Sequence, residues 1–234
     1  MEKMLGNNRP MIVAVDGPAG SGKSSVCAEA CRRIGWSYIN TGFLYRAIAY
    51  ICMQREVDFN IEDSLVETAV DFVNCYKWES KEQRLFYKGE DITSFLADRE
   101  VGNKASYIAK SPSVREHLLP VQRSLGLDTY QGVMMDGRDI GTVVFPDADL
   151  KIFMTASLEE RASRRKAQLE QMQDTVISYE AIKQDIASRD RQDAARSVAP
   201  LKQAEDALVF DTSGIGVEDA INSLIELLRS HKLC

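Results

Sequence analysis

Two kinds of hydrophobic pattern alternate along the chain. Short, nearly continuous apolar runs occur at 11–15 (MIVAV), 132–136 (GVMMD) and 150–156 (LKIFMTA), with more mixed runs at 37–40 (SYIN) and 207–213 (ALVFDTS). Runs of this length, bounded by turn-forming residues, predict strands buried on both faces. Between them the apolar positions recur with helical spacing. The predicted helices cover the stretch up to about Ile34, which Gly35 stops, then 44–54, 63–75, 98–125, 157 to about 172, 178 to about 196, and 217–229. SVRE at 113–116 and SLEE at 157–160 match capping boxes. YKWES and RLFYKG within 76–89 predict a β-hairpin. Strands alternating with helices predict an α/β domain whose parallel sheet is covered by helices on both faces. Residues 60–131, with the hairpin and the extra helices, read as an insert in a core of about 11–59 and 132–234.

The first strand leads into Gly17-Pro18-Ala19-Gly20-Ser21-Gly22-Lys23-Ser24-Ser25, which opens the first helix. Gly17, Gly22, Lys23 and Ser24 satisfy the phosphate-loop spacing in the strand–loop–helix setting that it requires. Glycines allow backbone N–H groups to converge on phosphate oxygens, and the helix N-terminus adds its dipole. Lys23 would reach the β- and γ-phosphates of ATP, and the Ser24 hydroxyl is a ligand for Mg²⁺. A dinucleotide fingerprint fails because Ser25 stands where its third glycine or alanine belongs. A guanine-reading NKxD is also missing, the nearest string being NKAS at 103–106.

Composition narrows the chemistry further. Only two histidines occur, His117 and His231, so a histidine triad or a zinc centre has almost no material. The five cysteines form no CxxC pair, which predicts reduced thiols and a cytoplasmic protein. A formal net charge of −6 argues against nucleic acid or an anionic membrane as partner, though not against a small anion met by local arginines. The early apolar run is too short for a signal segment or a membrane span.

Three further clusters concern that anion. In NTGFLYR (40–46), Thr41 either caps the next helix or meets a ligand, and Arg46 either extends to solvent or does the same. In DGRDIGTVVFPDA (136–148), Asp136 holds a Walker-B-like position, and Arg138 and Asp139 follow it at the carboxyl end of a strand. In SRDRQDAAR (188–196), Arg189, Asp193 and Arg196 share one helix face. A solvated ion-pair stripe would use the same spacing, but Arg before Asp is the weaker order for one.

The strings DGPAGSGKSS, NTGFLYRA, NKASYIAKSPSVRE, DGRDIGTVVFPDADLKIF, EERASRR and SRDRQDAARSVAPL together resemble the cytidylate kinase family over nearly the whole chain. The resemblance implies a P-loop kinase fold with a five-stranded parallel sheet, a nucleotide-monophosphate-binding insert and a helical lid over about 158–196. It implies Mg²⁺- and ATP-dependent phosphorylation of CMP and dCMP; the chain is expected to act as a monomer. It further implies that Thr41 and Arg46 meet the acceptor phosphate, that Ser106, Arg115 and Asp139 surround cytosine, and that Arg189 and Asp193 meet the ribose with Arg196 beside the nucleotide. Arg138 would lie near the transferring phosphate, and among the lid arginines Arg161, Arg164 and Arg165 are further candidates, Arg161 and Arg165 standing one turn apart. The family commonly carries an acidic residue where this chain has Asn40. The rival readings are a kinase for a small hydroxyl substrate, with Asp16 or Asp136 as base, and an ATP-binding switch without acceptor chemistry.

Overall fold

A computed structural model describes residues 9–129, 131–171 and 177–234. The chain begins with β1 (Met11–Asp16), α1 (Lys23–Ile34), β2 (Ser37–Asn40) and α2 (Gly42–Gln54). The insert adds α3 (Glu62–Cys75), β3 (Tyr76–Glu79), β4 (Arg84–Tyr87), the two-residue β5 (Glu90–Asp91), a 3₁₀ turn (Thr93–Ala97), α4 (Arg99–Ile108) and α5 (Pro112–Leu127). The rest is β6 (Gly132–Gly137), a π turn (Ile140–Val144), β7 (Leu150–Thr155), α6 (Leu158–Gln171), α7 (Tyr179–Ala194), β8 (Leu208–Asp211) and α8 (Val217–Ser230). The segment 158–196 read as a lid includes residues 172–176, which lie outside the described residues.

Five strands form one sheet in the order β2-β6-β1-β7-β8. Every pairing in it is parallel. Side chains of β1 alternate, as strand geometry demands. Val13 and Val15 pack with Val26 of α1 and with Ile221, Leu224 and Leu228 of α8, whereas Ile12 and Ala14 face Ile140, Val144 and Phe145 on the other side. Helices therefore lie on one face, and the 140–145 turn with Leu119 and Leu125 of α5 on the other. The register aligns Asp16 with Gly137 and Phe153, and Asn40 with Asp136, so the carboxyl ends of four strands meet at one edge.

Residues 60–131 share an apolar cluster with α2, in which Phe72, Leu85, Leu96, Ile108 and Leu118 pack around Leu44, Ile48 and Ile51. The hairpin of this insert is extended by β5 into a three-stranded antiparallel sheet.

The single helix expected over 98–125 is two helices. Pro112 disfavours helical dihedrals at the preceding residue, and Ser111 is extended at φ −69, ψ 116. Ser111, not Ser113, therefore caps α5, accepting from Val114 N at 3.0 Å, with proline in the first turn. The other predicted capping box forms by half: Ser157 Oγ accepts from Glu160 N at 3.2 Å, but Ser157 N donates to Ser213 Oγ at 2.8 Å rather than to Glu160.

Candidate functional site: a cleft between a phosphate loop and an arginine wall

Loop 17–24 takes its shape from two glycines. A Cβ on Gly17 would sit 1.9 Å from Met154 O, so only glycine allows the loop to leave β1 against β7. Gly22, at φ 89, adopts the left-handed conformation that turns the chain into α1. Lys23 is buried, and its Nζ donates to Gly17 O at 2.8 Å, Pro18 O at 2.7 Å and Ser21 Oγ at 3.2 Å. Burial, followed by repulsion from Arg138, brings its pKa down to about 7. A triphosphate in the loop would replace neutral carbonyls with anionic partners for this ammonium.

Below the loop, Ser24 Oγ donates to Asp136 Oδ2 at 2.8 Å and accepts from Asn40 Nδ2 at 3.2 Å. The orientation of the Asn40 amide is fixed because its Oδ1 accepts from Gly42 N at 3.0 Å. Asp136 is buried, its Oδ1 has no hydrogen-bond partner, and burial raises its pKa. A hydroxyl beside a carboxylate with one unpaired oxygen fits a hard divalent cation that completes its shell with phosphate and water. Among the described residues no cluster of three His, Cys, Asp or Glu forms a protein-only cage.

Asp16, the other carboxylate at this edge, is occupied structurally. Its two oxygens accept from Ile140 N at 2.7 Å and Gly141 N at 2.8 Å, holding the π turn against β1. Desolvation outweighs those bonds and raises its pKa to about 6.

Loop and insert enclose a cleft of about 900 Å³. From the loop Ala19, Gly20, Ser21, Gly22, Lys23, Ser24 and Ser25 line it. The opposite wall is rich in arginine. Arg46 of α2 donates to Leu96 O at 2.6 Å and Asp98 O at 3.2 Å. Burial, then Arg189, Arg165 and Arg138, lowers its pKa to about 10. Arg189 of α7 is shifted the same way, mainly by burial. Cations that depress one another in this manner form a field suited to a multiply charged anion.

Two buried carboxylates organise this wall. Asp193 accepts from Arg138 Nε at 2.9 Å, from Arg196, and from Ser106 Oγ of α4 at 3.4 Å. Asp139 pairs with Arg115 of α5, whose guanidinium lies 5.5 Å from the Tyr45 ring centroid. Burial raises the Asp139 pKa against the pull of Arg115, Arg196 and Arg138. Carboxylate acceptors fixed by arginine donors in a closed, dry site can read a polar base edge. Arg165 of α6 also lines the cleft, with one Nη 2.7 Å from Gln168 Oε1.

Most of the residues singled out from the sequence thus converge, and three do not face the cleft. Gly17 and Pro18 lie behind the loop, where their carbonyls hold Lys23. Arg161 is likewise not a cleft residue: it is buried and bonded to Ala156 O, Ala19 O and Asp190. Helical spacing placed it one turn from Arg165 but could not reveal these partners. Thr41 does line the cleft, yet its hydroxyl neither caps α2 nor extends outward. It donates to Asp136 O at 2.8 Å and ties β2 to β6.

Sequence reasoning missed a link beside the loop. Thr212, buried at the end of β8, lies 3.0 Å from Ser21 O through its Oγ1 and accepts there from Arg164 Nη1 at 3.0 Å. The available signal was its place just past a strand at the carboxyl edge of the sheet.

The sequence profile of the family described as Cytidylate kinase matches residues 13–230. The chain is 41% identical over 217 residues to a cytidylate kinase of Geobacillus sp. (strain WCH70), covering 93% of this chain and 96% of the relative. It is 38% identical over 220 residues to a cytidylate kinase of Bdellovibrio bacteriovorus, covering 94% and 98% respectively. A crystal structure of an uncharacterized protein from Eubacterium ventriosum aligns with 95% of this chain and 99% of its own at TM-score 0.51 and 10% identity, a likeness of fold alone.

Proposed function

The chain belongs to the cytidylate kinase family, and from that premise we propose how its cleft carries out the reaction. The enzyme uses ATP to phosphorylate CMP and dCMP to CDP and dCDP. The observation that carries the residue assignment is the placement of a phosphate loop and an arginine wall across one cleft.

ATP binds with its phosphates on the 17–25 loop, and Lys23 neutralises charge on the β- and γ-groups. Ser24 and Asp136 would hold Mg²⁺, which would supply further charge neutralisation at the transferring phosphoryl group. Arg46 receives the acceptor phosphate, with Thr41 at the turn beside it, and Arg189 joins Asp193 at the ribose. Arg138 stands between that phosphate and the ribose, which Asp193 meets through its hydroxyls. Asp139, Arg115 and Ser106 take the cytosine edge, and Arg165 approaches from α6.

The attacking oxygen is already anionic at neutral pH, so alignment and charge neutralisation suffice without a general base. The same point disfavours the hydroxyl-kinase reading. Both oxygens of Asp16 accept backbone N–H groups, Asp136 accepts from Ser24, and Asp139 and Asp193 are paired with arginines. Phosphorylating a hydroxyl would draw on Asp136 as base, and its unpaired Oδ1 is the oxygen assigned to the cation. We assign the enzyme to the cytoplasm as a monomer without nucleic-acid or membrane partners. The net charge of −6 disfavours a polyanionic partner; separately, among the described residues no helix is long and apolar enough to cross a membrane.

ADP release with Mg²⁺ and ATP, measured against CMP, dCMP, UMP, AMP and shikimate, tests the reading. Turnover is expected with CMP and dCMP. Preference for shikimate, or nucleotide-independent hydrolysis alone, would refute it.

A further inference from the structure

Arg161 sits on the first turn of α6 and is 7% exposed. Its Nε donates to Ala156 O at 3.0 Å, and one Nη donates to both Ala19 O at 3.1 Å and Asp190 Oδ2 at 2.6 Å. The loop rests directly on this residue, since a Cβ on Gly20 would lie 3.2 Å from Arg161 Cβ. We propose that Arg161 and Asp190 form a positioning pair that couples the state of the acceptor helix α7 to the aim of the donor loop.

The physical link is the peptide between Ala19 and Gly20. In a trans peptide the C=O and the N–H point in opposite directions. Anchoring Ala19 O on Arg161 therefore points Gly20 N–H the opposite way within the peptide plane, away from Arg161, and Gly20 is a cleft-lining residue. Asp190 in turn anchors the guanidinium. It stands one residue after Arg189 and three before Asp193, the α7 residues assigned above to the acceptor nucleotide. A helix moves as a unit over that distance, so any shift of α7 that brings Arg189 and Asp193 onto an acceptor also moves Asp190. Asp190 Oδ1 is buried without a partner. Among the described residues the Asp190 carboxylate is tied only through Oδ2 to Arg161, so this bond is the polar link from α7 to the carbonyl of Ala19, beside the apolar α6–α7 contacts of Ala162, Leu169, Ile182 and Ile186. Acceptor binding would then reset the Gly20 N–H against the donor phosphates. Arg161 is a positioning residue in this scheme and touches neither substrate.

The inference rests on the assignment of α7 to the acceptor and of the loop to ATP. The test measures, by calorimetry, the affinity of a non-hydrolysable ATP analogue with and without saturating CMP, in the parent, Asp190→Asn, Asp190→Glu and Arg191→Gln. Arg191 is an exposed neighbour on α7. The parent is expected to bind the two ligands cooperatively. Asp190→Asn should cut the coupling factor by about fivefold or more while changing each separate affinity by less than about threefold. Its kcat should fall with KM for CMP nearly unchanged, Asp190→Glu should restore most of the coupling, and Arg191→Gln should match the parent. No coupling in the parent, parental coupling in Asp190→Asn, or equal loss in Arg191→Gln would overturn the pair. If Asp190→Asn does not fold, Arg161→Lys decides, because it keeps the charge but lacks the guanidinium that holds Ala19 O and Asp190 together: reduced coupling upholds the link and parental coupling overturns it. Failure of the parent to phosphorylate CMP would overturn the functional assignment itself, a result separable from all of these.

Discussion

The donor loop and the arginine wall face the same phosphate charge with different materials. The loop uses backbone shape, and its single cation, Lys23, is bonded to its own carbonyls. The wall uses long side chains, and its carboxylates are engaged by arginines before any ligand arrives. Backbone shape has few substitutes, so the loop should be intolerant of change and indifferent to which acceptor is present. The wall holds its charges in pairs, so altering it should redistribute preference among acceptors. Rate belongs to the first region and selectivity to the second.

The largest expected effect is at Lys23. Lys23→Ala should retain the fold but lower kcat by about 10³-fold with every acceptor, because it removes charge neutralisation developed in the transition state. A loss that differed between CMP and dCMP would blur the division between the walls.

Gly17→Ala should come next, as a stability effect. With Met154 O at 1.9 Å from the new Cβ, either the loop or β7 must move. The cost should exceed about 3 kcal/mol, seen as a fall in Tm of about 10 °C in calorimetry. A melting curve like the parent's would show that the loop is softer than this comparison requires.

On the wall the effect should be smaller and selective. Asp193→Asn keeps the shape but removes the charge that Arg138 and Arg196 share. Activity should fall with both acceptors, and the CMP to dCMP ratio of kcat/KM by a further factor of about ten, the worth of a charged hydrogen bond to the 2′-hydroxyl. Equal losses would make Asp193 a structural ion-pair partner only.

The smallest effect is a proton. Burial lowers the pKa of Lys23 to about 7, and an adjacent triphosphate favours the charged form. Between about pH 7 and the ordinary lysine value near 10.4, ATP binding should therefore take up protons, and below pH 7 the uptake should vanish because Lys23 is already charged. Calorimetry at pH 8 in buffers of different ionisation enthalpy should report up to one proton, absent in Lys23→Met. Proton release would contradict the assignment.

The legibility of the two walls in the sequence differs for a physical reason. The loop is local: strand, glycines, lysine and serine are contiguous, so MIVAV followed by the 17–25 segment specified its structure and suggested its role. The wall is assembled from α2, α4, α5, α7 and the turn after β6, and spacing alone left its residues open between ligands and ion pairs. Family resemblance brought Arg115, Asp139 and Ser106 together, residues that no periodicity connects. What stayed hidden were partners set by tertiary packing. Arg161 has the spacing of a phosphate ligand and is instead enclosed by Ala19 and Asp190. Thr41 has the position of a helix cap and bonds instead to a neighbouring strand. Ser111 displaced Ser113 as cap because a proline follows it, a local signal present in the sequence but outweighed by the match to a capping box.

The most direct measurement is the CMP to UMP ratio of kcat/KM in the parent and in Asp139→Asn. The Asp139 carboxylate offers only acceptors, so it suits the cytosine amino group and opposes the uracil carbonyl oxygen, while Arg115 supplies the donor. A site built around such a bond rejects the analogue lacking it by a factor on the order of 10⁴, and that is the preference expected of the parent. The amide introduced by Asp139→Asn can turn its N–H₂ toward uracil, so the ratio should collapse, mainly through lost CMP activity. A ratio in Asp139→Asn equal to the parent's would show that cytosine is read elsewhere and would contradict the assignment of selectivity to this wall.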